Sequence, residues 1–361
     1  MDKPSRYFLI LLSLLLAVGF AQTANSGTLG IAREGDLGAP TDPGALTKEI
    51  SERLEQTDSI FKASPIGGLR DLTGEAKASL YSSTGINVDA VFTHVFQGAT
   101  DTIEEENNAG TATTLDLLAT WDLFDKGEST QAQLVIHGQY RWDYGTTGPE
   151  DIGFVSLAGI IGTADTFSEY RRALWRNIYW RQGSPETGWV YRVGKITPDA
   201  LLASSKYLDS QTTFLPGGGT GPFAIALPDS GYGTIGAWYP NDKLALVGLV
   251  SDANGDRFDD GDIGEGDMFY AAEMHLKIAP RTAAAPYSKV TIWHNDGTKD
   301  GAVSNGMLGP SGWGYFLVHQ QELTNDGRAI GVLRYGKSFD DSALYEQQGG
   351  VHFLYDEPRM I

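Results

Sequence analysis

The sequence predicts an all-β protein, an antiparallel transmembrane β-barrel preceded by a short N-terminal helix. Three observations predict it. Strand signals recur about twelve times along the chain, the connections between them are long and short in turn, and the clearest strands are polar on one face and apolar on the other. Composition fits: the 361 residues include 45 Gly, 8 Trp, 16 Tyr and 15 Phe, a mixture suited to many short strands and turns. A formal charge of −19 argues against a nucleic-acid partner, which needs a positive surface to release phosphate counterions. With no Cys, the chain has no disulfide framework, thiol nucleophile, cysteine-ligated zinc or iron–sulfur cluster.

Residues 1–21 read as a signal peptide. Lys3 and Arg6 form a positive start, Phe8 to Val18 is an apolar run, and Gly19-Phe20-Ala21 puts small residues at −3 and −1 for cleavage after Ala21. No later run of apolar residues is long enough for a transmembrane helix, so a membrane role falls to strands. Residues 22–46, rich in Gly, Ala, Thr and Pro, read as a flexible leader. Residues 47–79 read as a short helical segment: Ile50, Leu54 and Phe61 lie near one face between Thr47 and Lys62, and Ser51 or Thr47 serves as a cap.

From residue 80 to 361 the chain reads as the barrel. Strands are expected at 81–98, 111–125, 129–143, 173–184, 188–198, 231–239, 243–251, 268–279, 288–296, 312–323, 329–339 and 348–355. Lys126-Gly127-Glu128, Pro185-Glu186-Thr187, Pro240-Asn241-Asp242 and the stretch from Thr324 to Arg328 are tight turns, and 280–287 is a further short connection. Residues 99–110, 144–172, 199–230, 252–267 and 297–311 are long, polar and Gly-rich. A soluble sandwich has no reason to keep that order, whereas a transmembrane barrel puts short turns at one membrane face and long loops at the other.

Between Ser129 and Tyr144 the odd positions are mostly polar and include Gln133, His137, Gln139, Arg141 and Asp143. Leu134, Ile136, Tyr140, Trp142 and Tyr144 occupy the even ones, and their rings cluster as expected at a headgroup boundary. The pattern repeats from Met268 to Ile278, with Tyr270, Met274 and Leu276 opposite Glu273, His275 and Lys277. Two strands are less clean: Arg176 stands among apolar neighbours, and 315–323 shows no decisive face.

Catalytic and metal patterns are weak. No G-x-S-x-G, H-E-x-x-H or P-loop pattern occurs. The run from Asp252 to Asp256 begins like a calcium loop but has Arg257 where the turning Gly belongs and Ile263 where the bidentate Glu belongs, so it reads as a solvated acidic loop. No enzyme activity, cofactor or metal is expected.

Gly67-Gly68-Leu69-Arg70, followed by Tyr81-Ser82-Ser83-Thr84-Gly85-Ile86 and an alternating strand to Gly98, resembles the opening of the carbohydrate-selective outer-membrane porins, the OprB family. Arg192-Val193-Gly194-Lys195, Gly236 to Tyr239 leading to Ser251-Asp252-Ala253-Asn254-Gly255, and Gly312 to Gln321 followed by Val332-Leu333-Arg334-Tyr335-Gly336 agree with it in order. The resemblance implies a barrel of about 16 strands in the outer membrane of a Gram-negative bacterium, with membrane lipid outside and sugars diffusing through it. The end departs from that pattern: Asp356-Glu357-Pro358-Arg359-Met360-Ile361 does not read as a closing strand, and twelve readable strands fall short of the implied number.

Candidate pore-lining residues follow from the polar faces: Gln139, Arg141, Asp143, Arg192, Glu273, His275 and Arg334. In a lumen, guanidinium and carboxylate groups exchange hydrogen bonds with sugar hydroxyls, and Arg334 is expected to be hydrated there; each is otherwise an ordinary solvated interior residue. Loops 144–172 and 199–230 carry Phe154, Phe167, Leu201, Leu202, Phe214 and Phe223, which suggests that they fold inward and constrict the channel. The reading is a passive, sugar-selective porin; the alternatives are an exported soluble β-rich domain and, third, a barrel enzyme.

Overall fold

The computed structural model describes residues 76–98 except 78, 109–144 except 126 and 127, 173–208 except 199, 200, 206 and 207, 221–255 except 242, 263–277, 287–297, 311–324, and 329–355 except 341. The signal peptide, the leader, the helix expected within 47–62 and residues 145–172 of the expected loop lie outside the described residues.

Twelve strands form one antiparallel sheet in sequence order: β1 (Ile86–Gly98), β2 (Ala109–Phe124), β3 (Ala132–Asp143), β4 (Ala173–Ser184), β5 (Trp189–Ile196), β6 (Gly231–Asn241), β7 (Leu244–Asp252), β8 (Met268–Lys277), β9 (Tyr287–Asn295), β10 (Gly312–Glu322), β11 (Ala329–Phe339) and β12 (Gln347–Tyr355). Each strand pairs with its sequence neighbours, as an up-and-down barrel requires. Among the described residues β1 and β12 pair on one side each. No described helix is long and apolar enough to cross a membrane.

The connections keep the order expected of them. At one end the 3-10 turn Pro185–Thr187 joins β4 to β5, between Gly183 at φ 87° and Gly188 at φ 81°. A Cβ on Gly183 would stand 2.4 Å from the Trp189 carbonyl oxygen, so that corner accepts only glycine. The strand ends separated by the longer stretches of sequence are at the other end, where β11 and β12 are the exception, parted only by residues 340–346.

One boundary differs from the sequence reading. The first strand, expected from residue 81, begins at Ile86, because residues 79–84 are helical. Ser82 and Ser83 hydroxyls donate to the Ser79 carbonyl at 2.9 and 2.8 Å, and Thr84 Oγ1 to the Leu80 carbonyl at 2.7 Å, satisfying groups a strand would have left to its neighbours. Gly85, at φ 76°, ends the helix: its N–H donates to the Tyr81 carbonyl at 2.8 Å.

Alternation gives every strand an inner and an outer face. On β3, Val135, His137, Gln139, Arg141 and Asp143 are buried, while Tyr140 between them is exposed. Arg176 is the extra residue of a bulge, where the β3–β4 register shifts between His137 and Gly138, so its misfit in a simple alternation has a local cause. On β10 the inner face is Phe316, Val318, Gln320 and Glu322, and the exposed Leu317 lies between. Its apolar part, Phe316 and Val318, is covered by another segment.

That segment is part of the connection between β5 and β6. Leu201, Leu202, Leu208 and Ala224 to Leu227 are buried in one cluster with inner-face residues from Val135 on β3 to Val332 on β11. Its polar groups reach equally far: the Thr197 amide donates to Asn177 Oδ1 on β4 (3.1 Å), Asn295 Nδ2 on β9 to the Ala226 carbonyl (2.9 Å), and Gln348 Nε2 on β12 to the Gly221 carbonyl (2.9 Å). One segment can touch β4 and β12 because the sheet curls around it.

Candidate functional site

The outer face is the one that exposes large apolar side chains. Phe96, Leu117, Trp175, Leu333, Val351 and Phe353 are all exposed, Phe353 at 74%. Rings gather at both ends of the strands. At the end with short turns, Phe124 and Trp180 lie 6.0 Å apart and Trp189 stacks on Tyr191 at 5.7 Å. Toward the other end, Trp142 contacts Tyr144 at 6.4 Å and Trp313 stacks on Phe339 at 4.3 Å. Trp and Tyr recur in both groups, at either side of an apolar band, as amphipathic rings do at the two boundaries of a bilayer.

All seven residues singled out in the sequence are buried and lie on the inner side: Gln139, Arg141, Asp143, Arg192, Glu273, His275 and Arg334. They fall into separate groups.

The first group is on β2–β4. His137 Nε2 donates to Asp116 Oδ1 at 2.8 Å, and Gln139 Nε2 donates to the same oxygen at 2.6 Å. Arg141 Nε then donates to Gln139 Oε1 at 2.6 Å, and Asn177 Nδ2 meets His137 Nδ1 at 3.3 Å. The antiparallel register makes this chain possible, since Asp116 is directly opposite Gln139 and Leu118 opposite His137. Nearer the short turns, Gln133 Nε2 donates to Asp122 Oδ1 at 2.7 Å, and Arg181 Nη1 to Gln133 Oε1 at 2.9 Å. Tyr81, on the helical segment, donates to Asp122 Oδ2 at 2.6 Å. That contact raises the Tyr81 phenol above its ordinary value, chiefly because the hydrogen bond to Asp122 favours the protonated form.

The second group is on β8 and β9. Glu273 accepts from His275 Nε2, from Thr291 Oγ1 and, at 2.6 Å, from the Ala203 amide; Lys289 Nζ lies 3.9 Å from it. Arg192 and Arg334 each lie over an aromatic ring. Arg192 sits over the Tyr179 ring at 5.2 Å and donates to its hydroxyl at 3.4 Å, while Arg334 sits over the Phe316 ring at 5.0 Å. At 3% exposure Arg334 is not the hydrated cation that its sequence context suggested, because the inward segment covers this wall.

The sequence reading missed Asp116, the acceptor at the centre of the first group, and Lys289. Asp116 occurs in Thr114-Leu115-Asp116-Leu117-Leu118, where its alternation with leucines was the available signal. Asp252, read as part of a solvated acidic loop, is instead fully buried at the end of β7, and its Oδ1 accepts the Asn254 amide at 2.9 Å in a local turn.

No protein-family model matches the sequence, and no curated protein matches it. Among solved structures, that of Pseudomonas putida OprB at high pH superposes with a TM-score of 0.58, covering 78% of this chain and 73% of that chain at 11% identity. A structure of the same protein at low pH covers 78% of this chain and 95% of that chain, at 10% identity and a TM-score of 0.23. The first of these superpositions, with the strand order and the two faces above, assigns this chain the barrel fold that OprB has.

Proposed function

We propose that this protein is an outer-membrane porin through which sugars diffuse passively into the periplasm of a Gram-negative bacterium. One observation carries the reading: the outer face of the sheet is apolar while its inner side buries polar and charged groups beside the apolar ones. Large rings and leucines cover its outer face, whereas Asp116, His137, Gln139 and Arg141 are buried on the inner one. A soluble exported domain would leave that ring-rich outer surface in water, where contiguous apolar patches of this extent are rare. The likeness in fold to OprB and the signal-peptide pattern support the same reading. The inner wall carries both guanidinium and carboxylate groups, so its charge is of mixed sign and selects for neither anions nor cations.

Liposome swelling with the reconstituted full chain tests this. Neutral monosaccharides should enter faster than size-matched anions. Equal entry of neutral, anionic and cationic solutes would leave a general diffusion pore without selectivity. Absence of swelling, together with loss of heat-modifiable migration in an outer-membrane fraction, would favour the soluble alternative.

A further inference from the structure

On the outer face of β10, β11 and β12, at the end opposite the short turns, an ammonium group stands above an apolar track. The antiparallel register sets Trp313 opposite Phe339 and Tyr315 opposite Lys337. On the other edge of β11 it sets Lys337 opposite Gln347, Tyr335 opposite Gly349 and Leu333 opposite Val351. Lys337 alternates with the exposed Leu333 and Tyr335, so its side chain leaves the sheet on the outer side.

Trp313 and Phe339, stacked at 4.3 Å, mark the rim. Lys337 is attached two residues deeper on β11, about 7 Å at the rise of a strand. Its Nζ nevertheless lies 5.3 Å from the centre of the Phe339 ring and 4.0 Å from Glu346 Oε1, so the side chain runs back toward the rim. The Lys337 side chain is 28% exposed and that of Glu346 is 68% exposed, and so long a contact to so open a carboxylate is readily exchanged for another anion. Beneath the ammonium the surface has a notch. Gly349 carries no side chain, and Tyr335 Cδ2 would be 4.0 Å from its Cβ. Leu333 and Val351, both exposed, continue the notch toward the middle of the strands.

We propose that this patch binds one anionic lipid of the outer leaflet, its phosphate held by Lys337 Nζ and the Gln347 side-chain amide, and an acyl chain lying along Gly349, Leu333 and Val351. The inference rests on the porin reading and deepens it by naming a lipid partner for the wall. Charge and depth carry it. An ammonium drawn up to the level of the boundary rings meets lipid phosphate there, and the apolar track begins one residue pair below it. Seating the chain excludes water beside the ion pair and strengthens it, a gain that free phosphate does not obtain.

Native mass spectrometry of the full chain in non-ionic detergent, titrated with monophosphoryl lipid A, tests the site. Wild type should retain one such lipid per chain, and Lys337→Gln should lower the occupancy at least fivefold while Lys337→Arg keeps it. Gly349→Leu, which fills the notch, should lower it similarly. Glu346→Gln, which removes the competing carboxylate, should raise it at least twofold at subsaturating lipid. Equal occupancy in wild type, Lys337→Gln and Gly349→Leu would overturn the proposal, as would equal retention of the same lipid lacking its phosphate. Inorganic phosphate that competes better than chloride at equal ionic strength would reveal a free-anion site and also overturn it. If Lys337→Gln fails to fold, as judged by heat-modifiable migration, Glu346→Gln decides, and unchanged occupancy there counts against the site. Retention that depends on Lys337, with no sugar-driven swelling of wild-type liposomes, would support the site and remove the porin reading. Swelling without that dependence would do the reverse.

Discussion

Asp116 on β2 and His137 on β3 meet across the inner wall, Oδ1 to Nε2 at 2.8 Å, with the carboxylate shared by the Gln139 amide at 2.6 Å. Both residues are almost entirely buried, so neither has water as an alternative partner. Asp116→Ala would leave two buried donors without their acceptor and should cost about 1–3 kcal/mol. Denaturant unfolding of the reconstituted protein measures it. An unchanged midpoint would mean that water reaches this part of the wall.

Leu117 occupies the middle of β2 on the outer face and is 54% exposed. Arginine there should destabilise the protein in a bilayer by about 2–4 kcal/mol, the cost of a cation near mid-depth on the lipid side of a barrel. Leu117→Ala is the control for lost apolar area. Equal, small effects of both would place this face in contact with water and count against membrane insertion.

Tyr81 couples the helical segment to the sheet through Asp122, and the phenol is held above its usual range by that bond. A phenol whose folded value is raised stabilises the fold fully below the unfolded value, near pH 10, and the contribution is lost as pH rises through the folded value. Stability should therefore fall above about pH 10 in the wild type, and Tyr81→Phe should lack that component while losing about 1 kcal/mol at neutral pH. Identical pH profiles for the two proteins would show that the contact contributes nothing.

Gly336 on β11 faces inward, where an added Cβ would stand 2.3 Å from Phe316 Cδ2 and 2.9 Å from Ala224 Cβ. Gly336→Ala should cost about 1–3 kcal/mol by overpacking the contact between wall and inward segment. Gly248, with nothing within 4 Å of its Cβ position, is the comparison, and Gly248→Ala should be close to neutral. Equal stability of the two variants would mean that the segment does not pack here.

Arg334 lies 5.0 Å over the Phe316 ring and is covered from the lumen. Arg334→Ala should lower stability by about 1–2 kcal/mol, the range for a partly desolvated cation–π contact, and alter sugar flux little. Flux assays beside an unfolding titration separate the effects. A strong change of flux with unchanged stability would restore Arg334 as a residue that meets the solute.

The sequence by itself determined the strands and their order. Alternation along Leu134-Val135-Ile136-His137 assigns each residue to a face, and turn residues such as Pro185 to Thr187 mark where the chain reverses; both are local properties. The same locality sets its limits. Ser82, Ser83 and Thr84 fit a strand equally well, and their bonds back to the preceding turn made them helical. Tertiary structure decided what each inner-face residue meets. Glu273 and His275 have the same alternating context as Gln139 and Arg141, yet Glu273, itself bonded to His275, holds Ala203, 70 residues away, and the second pair joins a chain of bonds to Asp116. Periodicity reports which way a side chain points; what lies opposite it depends on how the sheet curls and where the connection between β5 and β6 comes to rest. Those are long-range outcomes that no window of sequence contains.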